Sequence, residues 1–153
     1  MGSLYMTFLQ GIVDAKPKLL RMHKAPGDLG GVGNSYRIVE NMMSSPESED
    51  PAAFINDALV VNYDAEPYQA LIYGQIQWTG GSAPQVNCRI RRNGSDLVTG
   101  GTTTNSSSYA YASTTQMVYP GESFELWWRG EGSFFIRPTL KAGVNTFLQI
   151  EPM

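Results

Sequence analysis

Few side chains in this sequence can do chemistry, and they lie far apart along the chain. Its 153 residues include one histidine, His23, and one cysteine, Cys88. A Ser/His/Asp or Cys/His nucleophile needs an imidazole within hydrogen-bond reach. Any such site would have to use His23, far in sequence from Cys88. His23 is expected at a surface or interface, and Cys88 as a small buried hydrophobe on the inner face of a strand. A single cysteine also excludes an internal disulfide framework and a cysteine-cluster metal site. Glu47, Glu49 and Asp50 bring carboxylates together, but in a polar stretch that reads as a solvated charge run. Gly27-Asp28-Leu29-Gly30-Gly31-Val32-Gly33 has the glycine density of a phosphate loop. It lacks the Gly-Lys-Ser/Thr ending, and neither a clean strand precedes it nor a helix follows. The expectation is a protein that is not an enzyme, with no cofactor and no metal.

Composition narrows the class further. Charged residues make up 16% of the chain, against about 25% in ordinary globular proteins. The hydrophobic share is 42%, enough for a core, and 16 glycines and 9 prolines point to many turns. The net charge of −3 argues against a nucleic-acid coat. No apolar run approaches the roughly 20 residues that span a bilayer. Met1-Gly2-Ser3-Leu4-Tyr5-Met6 lacks the basic start of a secretory signal. Neither a signal peptide nor a transmembrane segment is expected, and nucleic acid and membrane are not expected partners.

The chain changes character along its length. Residues 41–66 carry Glu47, Glu49, Asp50, Asp57, Asp64 and Glu66 with no basic residue. Within them, Ser44-Ser45-Pro46-Glu47-Ser48-Glu49-Asp50-Pro51 offers no apolar side chain except proline. It reads as a linker, placed at 44–56. Upstream, residues 1–43 show no sustained period. They read as a mostly irregular N-terminal arm that docks Tyr5, Phe8, Leu9, Leu19, Leu20 and Tyr36 on a partner.

Downstream, the period becomes two. Ala70, Ile72, Gly74, Ile76 and Trp78 share one face, with Gln75 and Gln77 on the other. Val86, Cys88 and Ile90 alternate with polar neighbours. So do Phe124, Leu126 and Trp128, and likewise Val144, Thr146, Leu148 and Ile150. Asn93-Gly94 is the preferred pair for a type I′ hairpin. Asn93-Gly94-Ser95 and Asn105-Ser106-Ser107 match the glycosylation acceptor pattern, but both read as turns. About eight strands over residues 57–153 predict an all-β domain, an antiparallel β-sandwich, jelly-roll-like or immunoglobulin-like.

Two surface features remain. Arg89, Arg91, Arg92, Arg129 and Arg137 could form a basic stripe, or pair across strands with Asp96 and Glu125. The negative net charge favours pairing. Alternation turns Trp127 outward, and Tyr109 and Tyr111 share a face. These three could stack on sugar rings, but low surface charge favours a subunit interface.

Val86-Asn87-Cys88-Arg89-Ile90-Arg91-Arg92-Asn93-Gly94 is followed by Val118-Tyr119-Pro120-Gly121-Glu122-Ser123-Phe124-Glu125-Leu126-Trp127. With Ala142-Gly143-Val144-Asn145-Thr146-Phe147-Leu148, these segments resemble small minor tail proteins of long-tailed actinobacteriophages. The resemblance spans roughly residues 68–150. It implies a non-enzymatic virion component at the tail or tail tip, assembled in the host cytoplasm. The expected partners are other virion proteins and copies of itself. The alternative is a module that binds carbohydrate or a host receptor, or a capsid decoration protein.

Overall fold

The computed structural model describes residues 16–31, 33–104, 108–133 and 136–153. Tyr5, Phe8 and Leu9 of the expected arm lie outside these residues. Apart from one 3-10 turn at Pro51–Ala53, the regular elements of the described chain are strands. They are β1 (Leu20–Lys24), β2 (Gly33–Ile38), β3 (Met42–Ser44), β4 (Phe54–Ile55), β5 (Ala58–Val60) and β6 (Tyr68–Thr79), then β7 (Gln85–Arg92), β8 (Ser95–Thr99), β9 (Ser108–Val118), β10 (Ser123–Glu131), β11 (Thr139–Leu140) and β12 (Gly143–Pro152). All their pairings are antiparallel. The first sheet runs β3-β1-β12-β6-β9, with β11 on one end of β6. The second runs β4-β5-β10-β7-β8, with β2 beside β5 on the same edge of β10. The chain changes sheet at nearly every connection, as in a jelly-roll sandwich.

The predicted alternation explains why these segments pair face to face. Ala70, Ile72, Ile76 and Trp78 of β6 are fully buried, as are Val86, Cys88 and Ile90 of β7 and Phe124 and Leu126 of β10. Together with Trp128 they form one core between the sheets. Gly74 lies against the opposite sheet. A Cβ there would fall 2.7 Å from Leu126 Cδ1 and 3.2 Å from Ile90 Cγ1, so the side chain is missing where the opposite sheet places its bulk. The Asn93-Gly94 hairpin joins β7 to β8 with both residues at positive φ, +52° and +79°. Its Asn93 Oδ1 accepts from Ser123 N at 2.9 Å, which pins the turn to β10.

The sandwich begins well before residue 57. Residues 20–43, expected as arm, supply β1, β2 and most of β3. Leu20 and Met22 belong to the core, and Tyr36 lies half-buried on the outer side of the second sheet. Sequence periodicity missed β1 because polar side chains occupy buried positions. Lys24 is only 1% exposed. Its Nζ donates to the carbonyls of Ala25 at 3.0 Å and Asn41 at 3.4 Å.

The expected linker at 44–56 is also part of the fold. Ser45 N donates to Arg21 O at 3.0 Å and Glu49 N to Leu19 O at 2.8 Å, continuing the pairing alongside β1. Ser48 Oγ accepts from Arg21 N at 3.2 Å, and Glu49 Oε1 from Leu19 N at 2.9 Å. Its first part, 44–50, is held by side-chain caps on backbone groups, so its composition resembles that of a solvated loop, while Ala53 is buried in the core and Phe54 packs against it.

Candidate functional site

Cross-strand register builds a row of side chains on the outer face of the first sheet. Met43, His23, Phe147, Gln75 and Tyr111 face one another in sequence across β3, β1, β12, β6 and β9. The next row holds Arg21, Gln149, Tyr73 and Ser113. Between the rows the aromatic rings meet. Tyr73 stacks on Tyr111 with centroids 6.1 Å apart and planes 15° apart, and on Phe147 at 5.6 Å and 27°. The Arg21 guanidinium lies 3.8 Å above the Phe147 ring. It is held there by Gln149 Oε1 at 2.7 Å and the Val144 carbonyl at 3.1 Å. Tyr73 donates to Gln75 Oε1 at 3.1 Å. Burial, more than the neighbouring Tyr111, raises the Tyr73 phenol above its ordinary pKa. Tyr109 and Tyr111 remain 44% and 57% exposed at the β9 edge, and Met117 is exposed on the same strand. The face is thus aromatic and nearly uncharged, with its rings held in fixed orientations.

Trp127 does not join Tyr109 and Tyr111. It projects from β10 on the outside of the second sheet, so the expected common platform is split between opposite faces of the sandwich. There the Arg91 guanidinium covers its ring at 4.5 Å, and its Nε1 donates to Glu125 Oε1 at 3.4 Å. Arg89 lies 3.6 Å over Tyr36, with Arg129 5.6 Å from the same ring. Arg89 and Arg91 share Asp96, at 3.1 and 3.0 Å, and Arg92 pairs with Glu122 at 3.4 Å. Cross-strand pairing therefore accounts for Arg89, Arg91 and Arg92, with Asp96 and Glu122 as the acids, while Arg129 donates to Asn87 Oδ1 at 2.6 Å. Glu125 serves Trp127 instead.

His23 is buried, not on the surface. Its Nδ1 stands 2.7 Å from Ser45 Oγ, a contact with the elements of a nucleophile and its base. Ser45 is only 3% exposed, so the pair is covered from solvent in this structure. The Cys88 thiol is fully buried and its pKa is pushed far up by desolvation, away from the reactive thiolate. Among the described residues, no cluster of three His, Cys, Asp or Glu side chains is placed to hold a metal. No described helix is long and apolar enough to cross a membrane.

Sequence reasoning located Tyr109 and Tyr111 but missed Tyr73, Phe147 and Arg21. Alternation alone places Tyr73 with Gln75 and Gln77 on the outer face of β6. Only the register across β6, β9 and β12 shows that the three rings touch.

No family model matches the chain, and no curated protein matches it. Among solved structures, the sandwich is similar to murine APRIL. The crystal structure at pH 5.0 aligns with TM-score 0.61 and 11% identity over 90% of this chain and 100% of that one. The pH 8.5 structure gives TM-score 0.61 and 11% identity over 89% and 98%. At this identity the likeness is one of fold, and the fold it shows is a jelly-roll β-sandwich.

Proposed function

We propose that this chain is a non-enzymatic structural component of a virion, a minor tail or tail-tip protein that works by packing against copies of itself and other virion proteins. The observation that carries the assembly reading is the aromatic outer face of the first sheet. There Tyr73, Tyr111 and Phe147 are prestacked on rigid strands beside exposed Tyr109 and Met117. Such a face loses little side-chain entropy on association and carries few charges to desolvate. The virion context is supported by the resemblance of residues 86–94, 118–127 and 142–148 to actinobacteriophage minor tail proteins. In this reading the N-terminal segment before Lys16, with Tyr5, Phe8 and Leu9, makes a second contact with a neighbour. Leu20 is excluded from that role by its place in the core.

The test is light scattering over a concentration series on wild type and Tyr111→Glu. A wild-type oligomer dissociated at least tenfold more readily by the substitution supports the face as a subunit contact. An oligomer indifferent to Tyr111→Glu, or a wild-type monomer at high concentration, removes that face from self-assembly.

One observation favours the glycan-binding alternative. Tyr111 borders a cleft of ≈ 380 Å³ lined by hydroxyl-bearing Thr99, Thr102, Thr103 and Ser113. In that reading Tyr109 and Tyr111 stack on a sugar ring without Trp127. Glycan-array binding by a variant that is monomeric would separate it from the assembly reading.

A further inference from the structure

Gly30 and Gly31 line a second cleft, of ≈ 360 Å³, at the edge of the second sheet. Its other lining residues are Leu29, Ile38 and Trp128, the last with its ring buried in the core, and its charged groups are Arg37, Arg137 and Glu40. The glycines are there to admit an arginine. A Cβ on Gly31 would fall against Arg137 Cβ and 2.7 Å from Pro138 O, and one on Gly33 would lie 3.4 Å from the Arg137 guanidinium carbon. The guanidinium is thereby laid over bare backbone. Among the described residues its one hydrogen bond is a long one, to Gly31 O at 3.4 Å. Arg37 and Arg137 are both exposed, and neither forms an ion pair with a described carboxylate. Glu40 lines the same cleft yet is not within ion-pair distance of either. An arginine cannot shed its charge. Two of them at one small cleft leave forked donors matched to a phosphate's oxygens.

We propose that this cleft binds a phosphorylated polyol or sugar. Arg37 and Arg137 take the phosphate, Glu40 accepts a hydroxyl, and the carbon chain lies on half-buried Leu29. The cleft is at the lower end of small-molecule site volumes, which suits one monomer unit. It lies on the sandwich edge, away from the aromatic face, so this site and the assembly reading stand or fall separately.

The experiment is an NMR titration of the arginine Nε–Hε signals with glycerol 3-phosphate, inorganic phosphate and glycerol, each against sodium chloride at matched ionic strength. The expected result is saturable movement of the Arg37 and Arg137 signals, with glycerol 3-phosphate at least threefold tighter than phosphate. Arg37→Gln, on an edge strand, should weaken binding at least tenfold. Glu40→Gln should remove the preference for glycerol 3-phosphate over phosphate. Shifts that merely follow the chloride control, or an Arg37→Gln protein that binds as wild type, would overturn the proposal. Vesicles of phosphatidylglycerol form a separate arm. Binding to them without binding to soluble glycerol 3-phosphate would point to a lipid surface and also overturn it.

Discussion

His23 sits under the turn that follows β3, where it loses water without gaining a bond to a carboxylate. Burial is the main reason its pKa falls below the ordinary 6.5. The nearby Arg21 charge pushes the same way, and Glu47 partly opposes both. The unfolded chain therefore takes up a proton near pH 6.5 that the folded chain resists. By linkage, stability from this group is complete above about pH 6.5 and declines as the pH falls through the window below it. Urea midpoints measured from pH 7.5 to 5 should drop with acid for wild type, with a shallower slope for His23→Gln. An unchanged slope in the variant would assign the acid sensitivity to other groups. The residue scale was the least legible from the sequence. His23 looked like a surface histidine because nothing in Leu20-Arg21-Met22-His23-Lys24 announces that the segment is covered. Its cover is Ser45, which lies across a chain reversal.

The long strands show how much a two-residue period conveys. For β6, β7 and β10 the inner faces were readable residue by residue, because each such strand carries its own apolar face. Alternation puts Gly74 on that face, and the reason for a glycine there lies in the other sheet. Gly74→Ala should cost about 1–3 kcal/mol by urea unfolding, since Leu126 and Ile90 already fill the space and overpacking strains the core. A neutral effect would mean that the sheets separate there easily. The short strands β1, β2 and β3 were not legible. β1 is held by β12 and β3 on its two sides, while β2 and β3 each hang on one neighbour and on capped backbone groups, so local sequence carries only part of the reason that they are extended. The same holds for the aromatic stack, where each ring belongs to a different strand.

At the scale of the molecule, β1 is inserted between β3 and β12, so the first described strand pairs with the last. Removing it would leave β12 with an open edge and Met22 and Leu20 missing from the core. Deletion of residues 1–15 should therefore leave a cooperative, fully folded sandwich. Deletion of residues 1–43, which takes β1, β2 and most of β3, should give an unfolded or aggregated product by circular dichroism and solubility. A folded 44–153 fragment would show that the N-terminal strands are dispensable and would restore the arm reading for the whole segment.

The sequence by itself determined the class of this protein. Alternating apolar residues, glycine-rich turns, the Asn93-Gly94 hairpin and the scarcity of charge specify an all-β sandwich, since those signals act within a few residues of each other. It also determined that Cys88 faces inward and that Tyr109 and Tyr111 share a face. Only the tertiary structure decided where the domain begins, that Trp127 and the two tyrosines lie on opposite faces, and that Tyr73 and Phe147 complete the aromatic row. It alone placed Arg37 and Arg137 at one cleft. In each case the partners are far apart in sequence and meet through strand register or the packing of two sheets. Register and packing depend on the whole chain at once, and no local period records them.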